Sequence, residues 1–105
     1  MKETQLVKQI KEYLNYQGHM VDRTNSGVIR LTSESNGRGR MIRLARAGTA
    51  DITGCSASGR FLAVECKVGK NKTTELQNQY LEEVKKRGGI AIVAYNLDDV
   101  IKAGL

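Results

Sequence analysis

Phe61-Leu62-Ala63-Val64-Glu65-Cys66-Lys67-Val68 reads as a buried strand that nevertheless carries two opposite charges. Side chains alternate across a strand, so Leu62, Val64 and Cys66 share one face while Phe61, Ala63, Glu65 and Lys67 share the other. A carboxylate and an ammonium two residues apart in an apolar strand are costly unless they have partners or work. Asp51 belongs to the preceding strand, and the Gly- and Ser-containing segment between the two predicts a hairpin. That hairpin brings Asp51 beside Glu65 and Lys67. Two carboxylates and a lysine at one point are what a metal-dependent, phosphodiester-cleaving site requires. The competing explanation for Glu65 and Lys67 is an ion pair on a solvated face. Phe61 and Ala63, on that same face, argue against a plainly polar surface.

Helical periodicity runs over residues 3–17, where Leu6, Val7, Ile10, Tyr13 and Leu14 form one stripe and Gly18 supplies the stop. Glu3 falls at the centre of this stripe and faces inward, whereas Glu12 lies about 180° away and faces solvent. Glu3 equally suits a first turn, where a carboxylate favours the helix dipole. A second helix is expected over 74–87, ended by Gly88-Gly89. There Gln77 shares a stripe with Tyr80, Leu81 and Val84, and Gln79 points away. Thr74-x-x-Gln77 also fits a capping box, which explains the glutamine without any further role.

The remaining segments read as strands near 19–23, 28–32, 41–44, 51–53 and 60–68, then a continuous apolar strand over 90–95 of the kind buried on both faces. Asn25-Ser26-Gly27 and the polar stretch 33–39 read as turns, and residues 96–99 open a short terminal helix. The order α-β-β-β-β-β-α-β-α implies an α/β (α+β) fold, a central mixed sheet flanked by helices. At 105 residues a single domain, 1–105, is the natural size.

Charge suggests the partner. The chain has 17 Lys and Arg against 11 Asp and Glu, a net charge of +6, and a pI near 9.6. That balance suits a polyanion such as nucleic acid. No apolar run is long enough to span a bilayer and no signal peptide opens the chain, so an intracellular, cytoplasmic protein with no membrane partner is expected. Arg23, Arg30, Arg38, Arg40, Arg43 and Arg46 fall within 21–50 with no lysine among them. Their guanidinium forks suit phosphate oxygens, though charge-rich stretches are commonly just solvated surface. Lys70 and Lys72 extend the basic surface. Aromatic residues are few, so base stacking is not expected as the main binding mode. Cys55, Cys66 and the lone His19 suggest neither a disulfide framework nor a zinc site.

Gly48-Thr49-Ala50-Asp51-Ile52-Thr53-Gly54, Phe61–Lys67, Gln77-x-x-Tyr80 and Gly88-Gly89-Ile90-Ala91-Ile92-Val93, in that order, resemble the VRR-Nuc domain of the PD-(D/E)XK nuclease superfamily. The resemblance runs from Glu3 almost to the C-terminus, like a minimal, standalone copy. Ala50 stands where the family usually has proline before the aspartate. The resemblance implies a PD-(D/E)XK restriction-endonuclease-like core. It implies metal ligation by Asp51, Glu65 and the main-chain carbonyl of Cys66, with Lys67 near the attacking water or scissile phosphate. The family's first-helix glutamate maps onto Glu3 and its second-helix glutamine onto Gln77, in agreement with the helical phases.

The expected activity is therefore Mg²⁺- or Mn²⁺-dependent hydrolysis of DNA in repair or recombination. Standalone phage-type relatives are dimeric Holliday-junction resolvases, which implies junction DNA as substrate, a homodimer, and the host cytoplasm as the setting. The alternatives are a nuclease for flaps or other branched DNA, an RNA-directed nuclease, and a non-catalytic nucleic-acid-binding module.

Overall fold

Helix α1 (Glu3–Tyr16) buries Leu6, Val7, Ile10 and Leu14, the stripe expected from its periodicity. The computed structural model, which describes residues 1–25, 27–32 and 39–105, continues with β1 (Met20–Arg23), β2 (Val28–Thr32), β3 (Gly39–Arg43), β4 (Ile52–Cys55) and β5 (Phe61–Cys66). Helix α2 (Glu75–Lys86), β6 (Ile90–Ala94) and α3 (Leu97–Lys102) complete it. Gly18, at φ 95°, takes the left-handed conformation that ends α1.

The main sheet has the order β1-β4-β5-β6. β4 and β5 form the predicted antiparallel hairpin, with Ile52 opposite Val64 and Cys55 opposite Phe61. Its turn is closed by Ser56 N–H donating to the Arg60 carbonyl at 2.7 Å, and His19 Nδ1 accepts from Ala57 N–H at 3.0 Å. β6 runs parallel to β5, as a helix-linked crossover through α2 requires. The sheet is therefore mixed and has helices on both sides.

β5 separates two cores. Leu62, Val64 and Cys66 pack with Ile52 and the α1 stripe, together with Val100 of α3. On the other face Ala63 packs with Ala50, Ala91 and Leu81 of α2. This second core is built largely of alanine, and small contact residues let a helix lie close to a sheet.

Two expectations need correction. β2 and β3 pair with each other, Val28 opposite Arg43 and Thr32 opposite Gly39, but form a separate two-stranded sheet. β1 pairs with β4 at one edge of the main sheet. β6 is an edge strand in the main sheet, and its Ile90, Ile92 and Val93 are only half-buried. Its apolar run reflects the two helices against it, not a central position. The opposite edge, β1, is partly closed by a side chain. Asn15 donates to the Val21 carbonyl at 2.9 Å and accepts from Val21 N–H at 3.0 Å, much as a neighbouring strand would. Among the described residues no helix is long and apolar enough to cross a membrane.

Gly48 locks the segment before β4 onto α2. It has φ 85°, and a Cβ there would sit 2.4 Å from the Leu76 carbonyl oxygen. Gly48→Ala combines left-handed strain with a backbone clash that no rotamer change relieves. It should lower stability by on the order of 1–3 kcal/mol. Urea unfolding of the two proteins checks this, and a loss below a few tenths of a kcal/mol would contradict the packing.

Candidate active site

Asp51 stands immediately before β4, at the end of the β4–β5 ladder. Beyond the Ile52–Val64 pair, the next β5 N–H on that side, at Cys66, has no strand carbonyl to meet. The Asp51 carboxylate takes it: Oδ2 accepts from Cys66 N–H at 2.9 Å. On the other side Lys67 N–H donates to the Ala94 carbonyl at 3.0 Å, which holds the end of β5 against β6.

Glu65 lies between these elements, 1% exposed. Its Oε1 accepts from Gln77 Nε2 at 3.1 Å and lies 3.7 Å from Lys67 Nζ, an ion pair too long for a hydrogen bond. Gln77 is also the predicted cap. Its N–H donates to Thr74 Oγ1 at 3.2 Å, and its Oε1 accepts from Thr74 N–H at 2.9 Å. Gln77 makes both sets of bonds at once: its oxygen closes the α2 N-terminus and its nitrogen reaches Glu65.

When Glu65 is ionised, its buried Oε2 has no hydrogen-bond donor to meet it. Burial raises the Glu65 pKa from 4.5 to about 8. The Asp51 charge and a hydrogen bond from the protonated acid to Asp51 add to the rise, while the Lys67 ammonium opposes it. Glu3 contributes a further upward push, so the inward-facing carboxylate at the start of α1 does reach the field of this cluster. Glu12 is exposed, as its phase requires, and Gln79 is exposed as well. The Cys66 thiol is pushed up to about 12, first by burial and then by Asp51, Glu65 and Glu3. It stays a protonated core side chain, and only its backbone is available to the site.

Asp51 and Glu65 thus form an acid pair that needs a positive charge it does not fully have. A proton on Glu65 meets the need by donating to Asp51; a bound cation would meet it better. Among the described residues no three His, Cys, Asp or Glu side chains gather into a ready-made metal cage. Two neighbouring carboxylates, one with an oxygen that no donor meets, are hard oxygen donors of the kind that fit a divalent cation.

The basic residues divide into two groups. Arg23, exposed at the end of β1, shares a groove of about 350 Å³ with Lys8 and Lys11 of α1. Arg46, also exposed, lies on the α2 side, where it pulls the Tyr80 pKa down against the upward effect of burial. Arg40, Lys70 and Lys72 are exposed. Arg38 and the side chains of Arg30 and Arg43 lie outside the described residues. Of the expected arginines, Arg23 lies beside α1 and Arg46 beside α2. Glu12 also lines the groove beside α1, and Lys11 is paired with Asp22 at 3.8 Å.

Comparison with protein-family models, with curated proteins and with solved structures finds no match.

The raised Glu65 pKa has a signed consequence. Between pH 4.5 and about 8 the folded state keeps a proton that the unfolded chain has released. Stability from this group is complete below pH 4.5 and is lost as pH rises through about 8. Melting temperatures in EDTA should fall across this window, and Glu65→Gln should remove most of the slope. Mn²⁺ should raise the melting temperature more at the alkaline end. Equal Mn²⁺ effects at both ends, or a slope unchanged in Glu65→Gln, would contradict the acid pair.

Proposed function

We propose that this chain is a Mg²⁺- or Mn²⁺-dependent DNA endonuclease of the PD-(D/E)XK type, similar to the VRR-Nuc domain. It hydrolyses phosphodiester bonds in branched DNA, with the four-way junction as its substrate. One observation carries the reading: the buried Glu65 carboxylate, braced by Gln77 and Lys67, keeps one oxygen unpartnered beside Asp51. A structural ion pair would be expected to use both oxygens. The net charge of +6 supports a polyanionic substrate.

The cation would be held by Asp51, Glu65 and the Cys66 carbonyl, and when bound it acidifies water and offsets charge on the phosphoryl oxygens. The chain's own groups supply the rest. Lys67, only 9% exposed, presents an ammonium that positions the attacking water or stabilises negative charge on the phosphate. Gln77 fixes the Glu65 rotamer, and Glu3 adds to the negative field at the same point. The basic side chains on either side hold the DNA backbone through phosphate contacts. Water forms a new P–O bond, one ester P–O bond breaks, and the leaving alkoxide takes up a proton.

Asp51→Ala and Glu65→Ala should each lower cleavage at least 100-fold, the scale of removing one essential electrostatic group. Folding and DNA binding should persist. Lys67→Ala should lose most of the rate yet retain Mn²⁺ binding by calorimetry, because an ammonium is not a ligand. A panel of labelled junction, flap, splayed and linear DNAs, with and without Mg²⁺, tests activity and substrate together. Undiminished cleavage by either acidic variant would refute the site. Preference for flaps would select the flap-nuclease alternative.

Junction resolution needs two opposed cuts, and this site supplies one. The reading therefore includes a two-fold symmetric homodimer, whose single self-complementary interface places two sites on one junction. Sedimentation of the free protein and of its junction complex should show two chains per junction. A protein monomeric in both states that still cuts symmetrically in one encounter would exclude this arrangement.

A further inference from the structure

A wide cleft lies away from the acidic cluster. It has a volume of about 710 Å³ and lies beside the C-terminal half of α2, at the opposite end of β5 from Lys67. Phe61, Tyr80 and Val84 supply its apolar wall, with Arg46, Arg60 and Arg87 around them. Phe61 is the chain's single phenylalanine and is 46% exposed, although it begins the central strand. Gly88 and Gly89 leave the floor without side chains. A Cβ on Gly89 would meet Val84 Cγ1 at 2.6 Å, so backbone and side chains are closely packed there.

The polar groups are set for an anion. Arg60 is pinned by its own donors, Nε to the Gly88 carbonyl at 2.7 Å and Nη2 to that of Gly89 at 3.5 Å. Two of its five N–H groups are used, and the guanidinium is held in place. Three arginines face one acid, Glu83, which is already paired with Arg87 and Lys86. A flat apolar ring face bordered by fixed guanidinium groups suits a nucleobase with its phosphate, since every base can stack whatever its sequence. An acidic peptide would use the charges but would not need the open phenylalanine ring.

Helix α2 links this cleft to the acidic cluster. Gln77 holds Glu65, Tyr80 lies one turn further on, and Val84 is about 10 Å along the axis from Gln77 at 1.5 Å per residue. That distance equals about three base steps of a strand. We infer that the Phe61–Arg60–Arg46 cleft receives an unpaired nucleotide of the DNA, a few positions from the bond cut at Glu65. The inference rests on the endonuclease reading for its substrate. It adds a site for a base that is unpaired at the branch point, which in a fully paired four-way junction is one opened from its partner there.

Anisotropy titrations in EDTA can test it with a labelled blunt duplex and the same duplex bearing a short unpaired tail. The wild type should prefer the tailed DNA. Phe61→Leu, which keeps apolar volume but removes the ring, should weaken tailed-DNA binding about tenfold and leave blunt-duplex binding within twofold. Arg46→Gln should weaken tailed binding and flatten its salt dependence. A tail preference absent from the wild type, or unchanged in Phe61→Leu, overturns the inference and leaves the cleft to a protein partner. Junction cleavage in Mg²⁺ reads the endonuclease proposal separately. Cleavage with tail preference intact in Phe61→Leu sinks the cleft alone. A ring-dependent tail preference without cleavage supports the cleft and sinks the nuclease.

Discussion

The buried Glu65 carboxylate is the constraint on which the rest of the structure depends. A carboxyl group 1% exposed in the central strand cannot carry its charge without partners. Each neighbouring element supplies a group that answers it. The N-terminus of α2 brings Gln77, β5 itself brings Lys67, and the end of the β4–β5 ladder brings Asp51, which cannot help until a positive charge arrives. The arrangement is poor as a stability device. An apolar residue of the same volume would avoid the desolvation cost altogether. The proposed cation would meet the oxygen that no donor reaches.

The packing explains how Gln77 can reach. On the α2 face of the sheet, the core contains Ala50, Ala63 and Ala91 with Leu81 as its large member. Small residues there allow the helix to approach, and Gly48 allows the segment before Asp51 to lie against the Leu76–Gln77 backbone. The opposite face is filled by leucine, isoleucine and valine and carries most of the apolar burial. The protein therefore separates its tasks by face. The α1 and α3 side holds the fold together, and the thinner α2 side keeps polar groups within reach of one another.

What the sequence revealed follows the same division. Alternation along 61–68 placed Leu62, Val64 and Cys66 on one face and Glu65 and Lys67 on the other, because a strand's period of two leaves no freedom in the matter. Helical phase separated Glu3 from Glu12 and Gln77 from Gln79 for an equally local reason. Choice of strand partner is not local. Nothing in Val28–Thr32 or Gly39–Arg43 states that these strands pair apart from the main sheet, and nothing in Ile90–Ala94 distinguishes an edge covered by helices from a centre. The Phe61 cleft was invisible for a related reason. Its walls come from three separated segments, around residues 46, 60 and 87, whose proximity is created only by the fold.

The distribution of charge gives the site its sense. The chain as a whole is positive, yet its buried charged side chains among the described residues are one carboxyl, Glu65, and one lysine, Lys67, with the half-buried Asp51 beside them. At long range a polyanion meets a favourable field; at the last few ångströms it meets Asp51 and Glu65, which repel phosphate. Removing one of these carboxylates removes repulsion, so such a variant should hold DNA at least as tightly while failing to cut it. Neutralising Arg23 or Arg46 has the opposite signature, weaker binding and a reduced salt slope. For the proposed DNA substrate, the negative charge of Asp51 and Glu65 is useful only when something positive sits between them and the phosphates. Burial has already made the Glu65 charge costly without it, and that couples the stability of the fold to the chemistry proposed for it.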